Sequence, residues 1–306
     1  MAYATQEEVF GVVEEFLTGL FRDFGRGWQV SSPFLRIPYA EALSLYGSDK
    51  PDLLNPLTIV DVSKLFVRSE FQMFKSIVVK GGVVRGLAVP DVSTQPRSFF
   101  DDMQKFVGDL GAPGLAWIVR NTEGFSGPVA NAMGPSLAQE LASNLTAALP
   151  GSPEEFPQGA ALFLLAGDEA QAVRWAGALR LELGHRLQLA ETEVCRFEWI
   201  TDFPLYEMEE ESGEIVFSHN PFSMPQGGLE ALQDLPPLGG ACLAVRHRLQ
   251  RHRTVQWSRA QPSARHHGPR LRDRRLPGRA YGKRVRRHAA RLPQRLSTPC
   301  RDCARH

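Results

Sequence analysis

The sequence predicts an α+β fold that ends in a basic tail with no fold of its own. Three observations carry this expectation. Helical and strand patterns both run through the first 237 residues, without regular βαβ alternation and without an internal repeat. Up to Leu238 the chain holds 16 lysines and arginines against 32 aspartates and glutamates, a net charge of −16. From Gly239 to His306 it holds 18 arginines and 1 lysine against 2 aspartates, a net charge of +17, so the overall +1 sums two unlike pieces.

Composition narrows the class. A chain of 306 residues has room for two domains of ordinary size. No apolar run reaches the ~18 residues of a membrane span. The opening MAYATQEEVF has no basic-then-apolar leader, so secretion is not expected and a cytoplasmic location is. Cys195 is the lone cysteine of the acidic part, which fits a reducing compartment and no disulfide framework.

The elements follow in order. Thr5-Gln6-Glu7-Glu8 is a capping box, in which Thr5 accepts from the Glu8 amide and Glu8 reaches back. Val9, Val12, Val13, Phe16, Leu17 and Leu20 keep helical spacing behind it, and Gly25 and Gly27 end that helix. Residues 28–37 read as extended. Tyr39–Tyr46 is a short helix between Pro38 and Gly47. In the stretch Ile59–Val89, the β-branched runs Ile77-Val78-Val79 and Val83-Val84, split by Gly81-Gly82, predict a hairpin. Ser98–Leu110 reads as a helix capped by Ser98, Leu115–Val119 and Gly124–Val129 as strands, and Ser136–Leu149 as a helix. The apolar run Ala160–Leu165 is a buried strand, and Asp168 caps a long helix through Leu183. Phe197–Phe203 and Glu214–Ser218 read as strands joined through the acidic turn Glu209–Gly213. Sensible patterning ends at Pro236-Pro237.

Candidate chemistry is sparse. The acidic part has no Gly-rich phosphate loop, no HExxH pair and no nucleophile elbow. His185, beside Arg186 near a helix end, reads first as a solvated imidazole. His219 and Asn220 follow a strand and precede Pro221; they either present two polar groups to a ligand or make loop hydrogen bonds. Asp202, before Phe203-Pro204, is either an acid or base or, more usually at a strand end, a turn acceptor. Cys300-x-x-Cys303 without a second pair is a weak zinc or redox signal, and His266-His267 among arginines would attract a metal or nucleic acid only as an unselected tail does.

Several motifs resemble the bacterial aspartyl-tRNA synthetases, class II aminoacyl-tRNA synthetases. Phe197-Glu198-Trp199-Ile200-Thr201-Asp202-Phe203-Pro204-Leu205-Tyr206-Glu207, followed by Phe217-Ser218-His219-Asn220-Pro221-Phe222, is similar to their late catalytic strands. Arg36-Ile37-Pro38-Tyr39-Ala40-Glu41-Ala42, with Tyr46-Gly47-Ser48-Asp49-Lys50-Pro51-Asp52-Leu53, is a second and highly specific match. Gly114-Leu115-Ala116-Trp117-Ile118 and Gly127-Pro128-Val129-Ala130 resemble the inserted GAD domain, and Ala178–Gly184 the helix that re-enters the catalytic fold. The resemblance implies a partial antiparallel catalytic sheet: residues 1–52 and 177–237 as catalytic-domain remnants, 53–176 as the inserted α+β domain, and 238–306 as a disordered tail. It also implies ATP-dependent activation of aspartate with Mg2+ and transfer to tRNA by a homodimer. The alternative is a free-standing GAD-type module that binds tRNA or protein.

The departures bear on activity. The family's anticodon barrel and first two class II motifs, with the ATP-clamping arginine and the dimer motif, correspond to positions before Met1. No catalytic or ATP-binding residue is then expected to be retained, and ATP and Mg2+ are not expected to bind well. His219 matches a position on the aspartate side of the pocket. Asn220 stands where many members have a second histidine, a possible specificity position. Leu54 stands where the common pattern has arginine, which removes a cation near the pocket rim. After Pro237 the family expects Tyr-Asp-Ile-Val-Cys-Asn-Gly-Ile-Glu-Leu. Val245–Trp257 can be written in codons that, read one nucleotide later, translate as that segment. Val285–Leu296 and Cys303–Arg305 likewise yield family-like strings, which makes the tail an expected frameshift product.

Overall fold

The computed structural model describes residues 5–25, 27–151, 153–192, 194–209, 213–218, 225–226, 236, 238, 240–241 and 246–251. Among them two sheets organise the fold. Helix α1 (Gln6–Phe24) opens the chain with the capping box in place: the Thr5 N–H and hydroxyl donate to Glu8 Oε2 at 2.7 and 3.0 Å, and the Glu8 N–H donates to Thr5 Oγ1 at 3.3 Å. Strands β1 (Gln29–Val30) and β2 (Leu35–Pro38) follow, then α2 (Tyr39–Tyr46), which stops where Gly47 takes a left-handed φ of 71°. Such a φ disfavours a side chain and favours glycine.

The second sheet lies between residues 59 and 167. Strands β3 (Ile59–Asp61), β4 (Val83–Val89), β5 (Ala116–Asn121), β6 (Gly124–Ser126) and β7 (Ala161–Gly167) form an antiparallel sheet in the order β3-β4-β7-β5-β6. Strand β7 is apolar throughout because both of its faces are covered. Ala161, Phe163 and Leu165 face α5 (Arg97–Asp109) and α7 (Glu169–Arg186), while Leu162, Leu164 and Ala166 face α3 (Ser63–Val67), α4 (Gln72–Val79) and α6 (Ala130–Thr146). Two strand faces and a period of two account for this division.

The other sheet is built on β8 (Val194–Thr201). It pairs in parallel with β1 and β2 and antiparallel with β11 (Arg246–Arg251). The expected antiparallel catalytic sheet is therefore mixed. A parallel neighbour requires a long crossover, and the whole five-stranded sheet supplies one between β2 and β8. Strands β9 (Tyr206–Met208) and β10 (Ile215–Phe217) form a separate hairpin.

Several expectations change. Ile77-Val78-Val79 is the end of α4, not a hairpin strand. Phe71, Phe74, Ile77 and Val78 share one face packed around Phe66, with Phe74 ring centroids 5.0 Å from those of both Phe66 and Phe71, and that burial overrides β propensity. Ser98 lies inside α5, whose N-cap is Pro96, and Asp168 sits at the α7 N-cap without a side-chain cap hydrogen bond. The acidic turn joins β9 to β10, because Asp202 at φ 54° and then Pro204 break β8 first. Within the stretch expected to be largely disordered, Arg246–Arg251 form a strand that pairs with Ile200 through Cys195. An open strand edge offers main-chain groups to any passing segment, whatever its side chains. The boundary placed between residues 176 and 177 falls inside α7.

The cap carries a pH dependence. Hydrogen bonds from the Thr5 backbone and then its hydroxyl hold the Glu8 carboxyl below its ordinary 4.5. A depressed acid contributes its stability above the ordinary value and loses it as pH falls through the lowered one. Amide exchange in the first turn of α1, corrected for intrinsic rates, should accelerate below pH 4.5, and Glu8→Gln should remove most of that pH response.

Candidate functional site

Strand β8 is the spine of the candidate site. Its residues alternate between two packed faces. Cys195, Phe197 and Trp199 lie against Phe10 of α1 and Phe34, with the Phe34 and Phe197 rings stacked at 4.6 Å and Phe10 over Trp199 at 4.4 Å. Glu14 fixes this face: one carboxylate oxygen accepts the Trp199 Nε1–H at 2.9 Å and the other the Phe34 N–H at 3.3 Å. On the opposite face Ile200 packs with Ile37 and Ala42 beneath α2. Glu198, also directed away from α1, is fully buried and stands in register between Leu35 of β2 and Arg248 of β11.

The chain end of β8 shows what Asp202 does. Its Oδ2 accepts the Thr201 hydroxyl at 2.9 Å, and its Oδ1 accepts the Gln226 Nε2–H at 2.8 Å. The Gln226 N–H donates to Ala241 O, and the Leu205 N–H to Gly240 O, both at 2.8 Å. Asp202 thus anchors a turn and ties residues 225–226 and 240–241 to the end of β8. These are the contacts of a turn acceptor. The β9–β10 hairpin leads on to Ser218, whose N–H donates to Leu205 O at 3.1 Å. His219 and Asn220, the sequence-predicted aspartate-side and specificity positions, lie outside the described residues. So do Cys300, Cys303, His266 and His267.

The remaining candidates are placed plainly. His185 is exposed at the end of α7, as a solvated imidazole would be. Cys195 is buried and takes part in no disulfide. Leu54 is 5% exposed, and its carbonyl accepts the Glu191 N–H at 2.9 Å. The charge near it comes instead from Arg180 of α7, which sequence reasoning missed. Its guanidinium donates to the carbonyls of Asp52 at 2.7 Å, Asn55 at 2.6 Å and Leu57, and lies 4.9 Å over the Tyr46 ring. Burial lowers this guanidinium to about 10, opposed by Asp52, Tyr46 and Glu198, so it stays charged at neutral pH. Burial likewise raises the Tyr46 phenol, against the pull of Arg180. The signal available in the sequence was an arginine on the apolar row of Trp175, Ala176, Leu179 and Leu183.

Among the described residues, grooves open around the five-stranded sheet. Grooves of about 680 and 860 Å³ flank the β5–β6 hairpin, sharing Arg120, Asn121, Glu123, Phe125 and Gln158. A third, of about 820 Å³, runs between α3 and the α6 kink at Gly134. Their linings include none of the candidate residues His185, Cys195 and Asp202.

Known relatives place this geometry. A family model described as tRNA synthetases class II (D, K and N) matches residues 1–238. The chain belongs to that family. An aspartate–tRNA(Asp/Asn) ligase of Acidiphilium cryptum (strain JF-5) is 47% identical over 239 residues, which are 78% of this chain and 39% of the relative. An aspartate–tRNA(Asp/Asn) ligase of Beijerinckia indica is 46% identical over 241 residues, again 78% and 39%. An aspartate–tRNA ligase of Streptomyces coelicolor is 46% identical over 239 residues, 78% and 38%. The chain therefore spans about two fifths of the length of the curated relatives it matches. The family match ends at residue 238, where the charge of the sequence reverses.

The turn role of Asp202 can be checked. Asp202→Ala removes two acceptors and should cost about 1–3 kcal/mol in chemical denaturation, whereas Asp202→Asn should retain most of the stability. Equal losses in the two variants would point to the charge itself.

Proposed function

We propose that the chain derives from an aspartate–tRNA ligase, and that these 306 residues alone do not carry out its reaction. The observation that supports this most is identity of 46–47% to enzymes of that name across the family-matched residues. The sheet order β2-β8-β11 supports it structurally, since the most specific sequence motifs fall on β2 with α2 and on β8.

The chemistry of the parent reaction is acyl transfer in two stages. An oxygen of the aspartate α-carboxylate attacks the α-phosphorus of ATP, forming a mixed anhydride as pyrophosphate leaves. A ribose hydroxyl of the terminal tRNA adenosine then attacks the acyl carbon, and AMP leaves. Charge developing on the phosphate needs preorganised cations or N–H donors. Three arginines of the family-matched segments are engaged otherwise. Arg36 is paired with Glu7, Arg196 with Glu191, and Arg180 is sealed among carbonyls. Among the described residues no three His, Cys, Asp or Glu side chains converge, so no seat for Mg2+ is assigned to them and no step is routed through the ion. His219 remains the proposed contact to aspartate and Asn220 the proposed specificity position. The same reading makes residues 238–306 an out-of-frame continuation, which sequencing of the gene around the Pro237 codon decides.

ATP–pyrophosphate exchange tests the main reading. The 306-residue chain should give no aspartate-dependent exchange above background at any aspartate concentration, and measurable aspartate-dependent turnover would overturn it.

A second reading has its own support. The five-stranded sheet carries filled cores on both faces, and the three grooves lie on its side of the molecule. This region would then be a tRNA- or protein-binding module. Tight tRNA binding that survives deletion of residues 239–306 supports this module. Binding that vanishes with the tail reports charge attraction, and should weaken at least tenfold between 50 and 200 mM salt, an order-of-magnitude expectation for several phosphate contacts. Among the described residues no helix is long and apolar enough to cross a membrane.

A further inference from the structure

The chain passes between its two sheets twice, outward through residues 47–58 and back through α7 and residues 187–192. These crossings are in contact along their length. At one end the backbones of Gly47 and Gly177 touch: a Cβ added at Gly47 would sit 2.4 Å from Gly177 Cα, and one at Gly177 would sit 2.8 Å from Gly47 O. At the other end a Cβ on Gly184 would meet Asn55 Nδ2 at 2.2 Å, and the Glu191 N–H donates to Leu54 O at 2.9 Å. Between these ends Asn55 Nδ2–H donates to Arg180 O at 2.8 Å, and the Arg180 guanidinium gathers the carbonyls of Asp52, Asn55 and Leu57.

We infer that Arg180 is a positioning residue that clamps the outgoing crossing to the returning one and so fixes the five-stranded sheet in one orientation on the β8 sheet. The geometry requires this particular side chain. A guanidinium presents several N–H donors in one rigid plane, whereas an ammonium is a point charge that cannot span three separated carbonyls. The partners are main-chain carbonyls of a loop with no helix or strand of its own, so the loop's path depends on the cation. The Tyr46 ring beneath the guanidinium extends the clamp to α2, and α2 packs through Ala42 on Ile37 of β2 and Ile200 of β8. A side chain on α7 thereby reaches the centre of the other sheet.

Spin labels read the orientation directly. Glu15 and Ser143 are exposed, on α1 packed against β8 and on α6 packed against the five-stranded sheet, so Glu15→Cys and Ser143→Cys, with the 4 native cysteines replaced, report the distance between the two sheets. Double electron–electron resonance should give one narrow distance for the parent chain. Arg180→Lys and Arg180→Leu should each broaden the distribution at least twofold, while near-ultraviolet dichroism from Trp175 and Trp199 shows that both sheets remain folded. A lowered melting temperature with an unchanged width in both variants would show that Arg180 only fills space and would overturn the clamp, as would a broad distribution in the parent. Should Arg180→Leu not fold, Arg180→Lys and Asn55→Ala decide by the same width.

Discussion

A charged group taken out of water must find its hydrogen bonds inside the protein, because leaving it unpaired costs several kcal/mol. Arg180 is 1% exposed and therefore dictates where three carbonyls of the 52–57 loop must lie. Everything that joins the two sheets is arranged around that demand. Glycine stands at 47, 177 and 184 because backbone or Asn55 occupies the space a Cβ would need. Asn55 serves both sides, accepting the Leu57 N–H on Oδ1 and donating from Nδ2 to Arg180 O. The chain between α2 and β3 consequently has a fixed path without secondary structure of its own.

Strand β8 plays the corresponding part within its own sheet. It takes partners on both edges and packing on both faces, and few of its groups are left to do chemistry. Thr201 and Asp202 satisfy each other and the 225–226 segment, Trp199 is held by Glu14, and Arg196 is paired with Glu191. A sheet so fully occupied is a platform. The contact roles proposed for His219 and Asn220 rest on the family motif that follows β10 and not on β8.

Legibility in the sequence followed the range of the interactions. The Thr5–Glu8 capping box, the stop at Gly47 and the buried strand at Ala160–Leu165 were all readable, since each depends on neighbours a few positions away or on an unbroken apolar run. The family motifs were equally readable, being contiguous words. Ile77-Val78-Val79 misled because β-branched residues favour strands on average, while here the aromatic cluster of Phe66, Phe71 and Phe74 sets the outcome. The candidate site was legible as a set of positions and not as a geometry: Asp202 was recognised as a turn residue, but its Gln226 partner was not.

What the sequence by itself determined is the local grammar and the lineage: caps, stops, buried runs, the reversal of charge after Leu238, and motifs shared with aspartate–tRNA ligases. Only the tertiary structure decided that Arg180 meets Asn55, 125 positions away, that β11 pairs along an edge of β8, and that Leu54 is buried. The physical reason is one of distance along the chain. Short-range signals are fixed by bond geometry within a few residues, whereas a buried cation and an open strand edge choose partners by where folding brings them, and a single sequence holds no local record of that meeting.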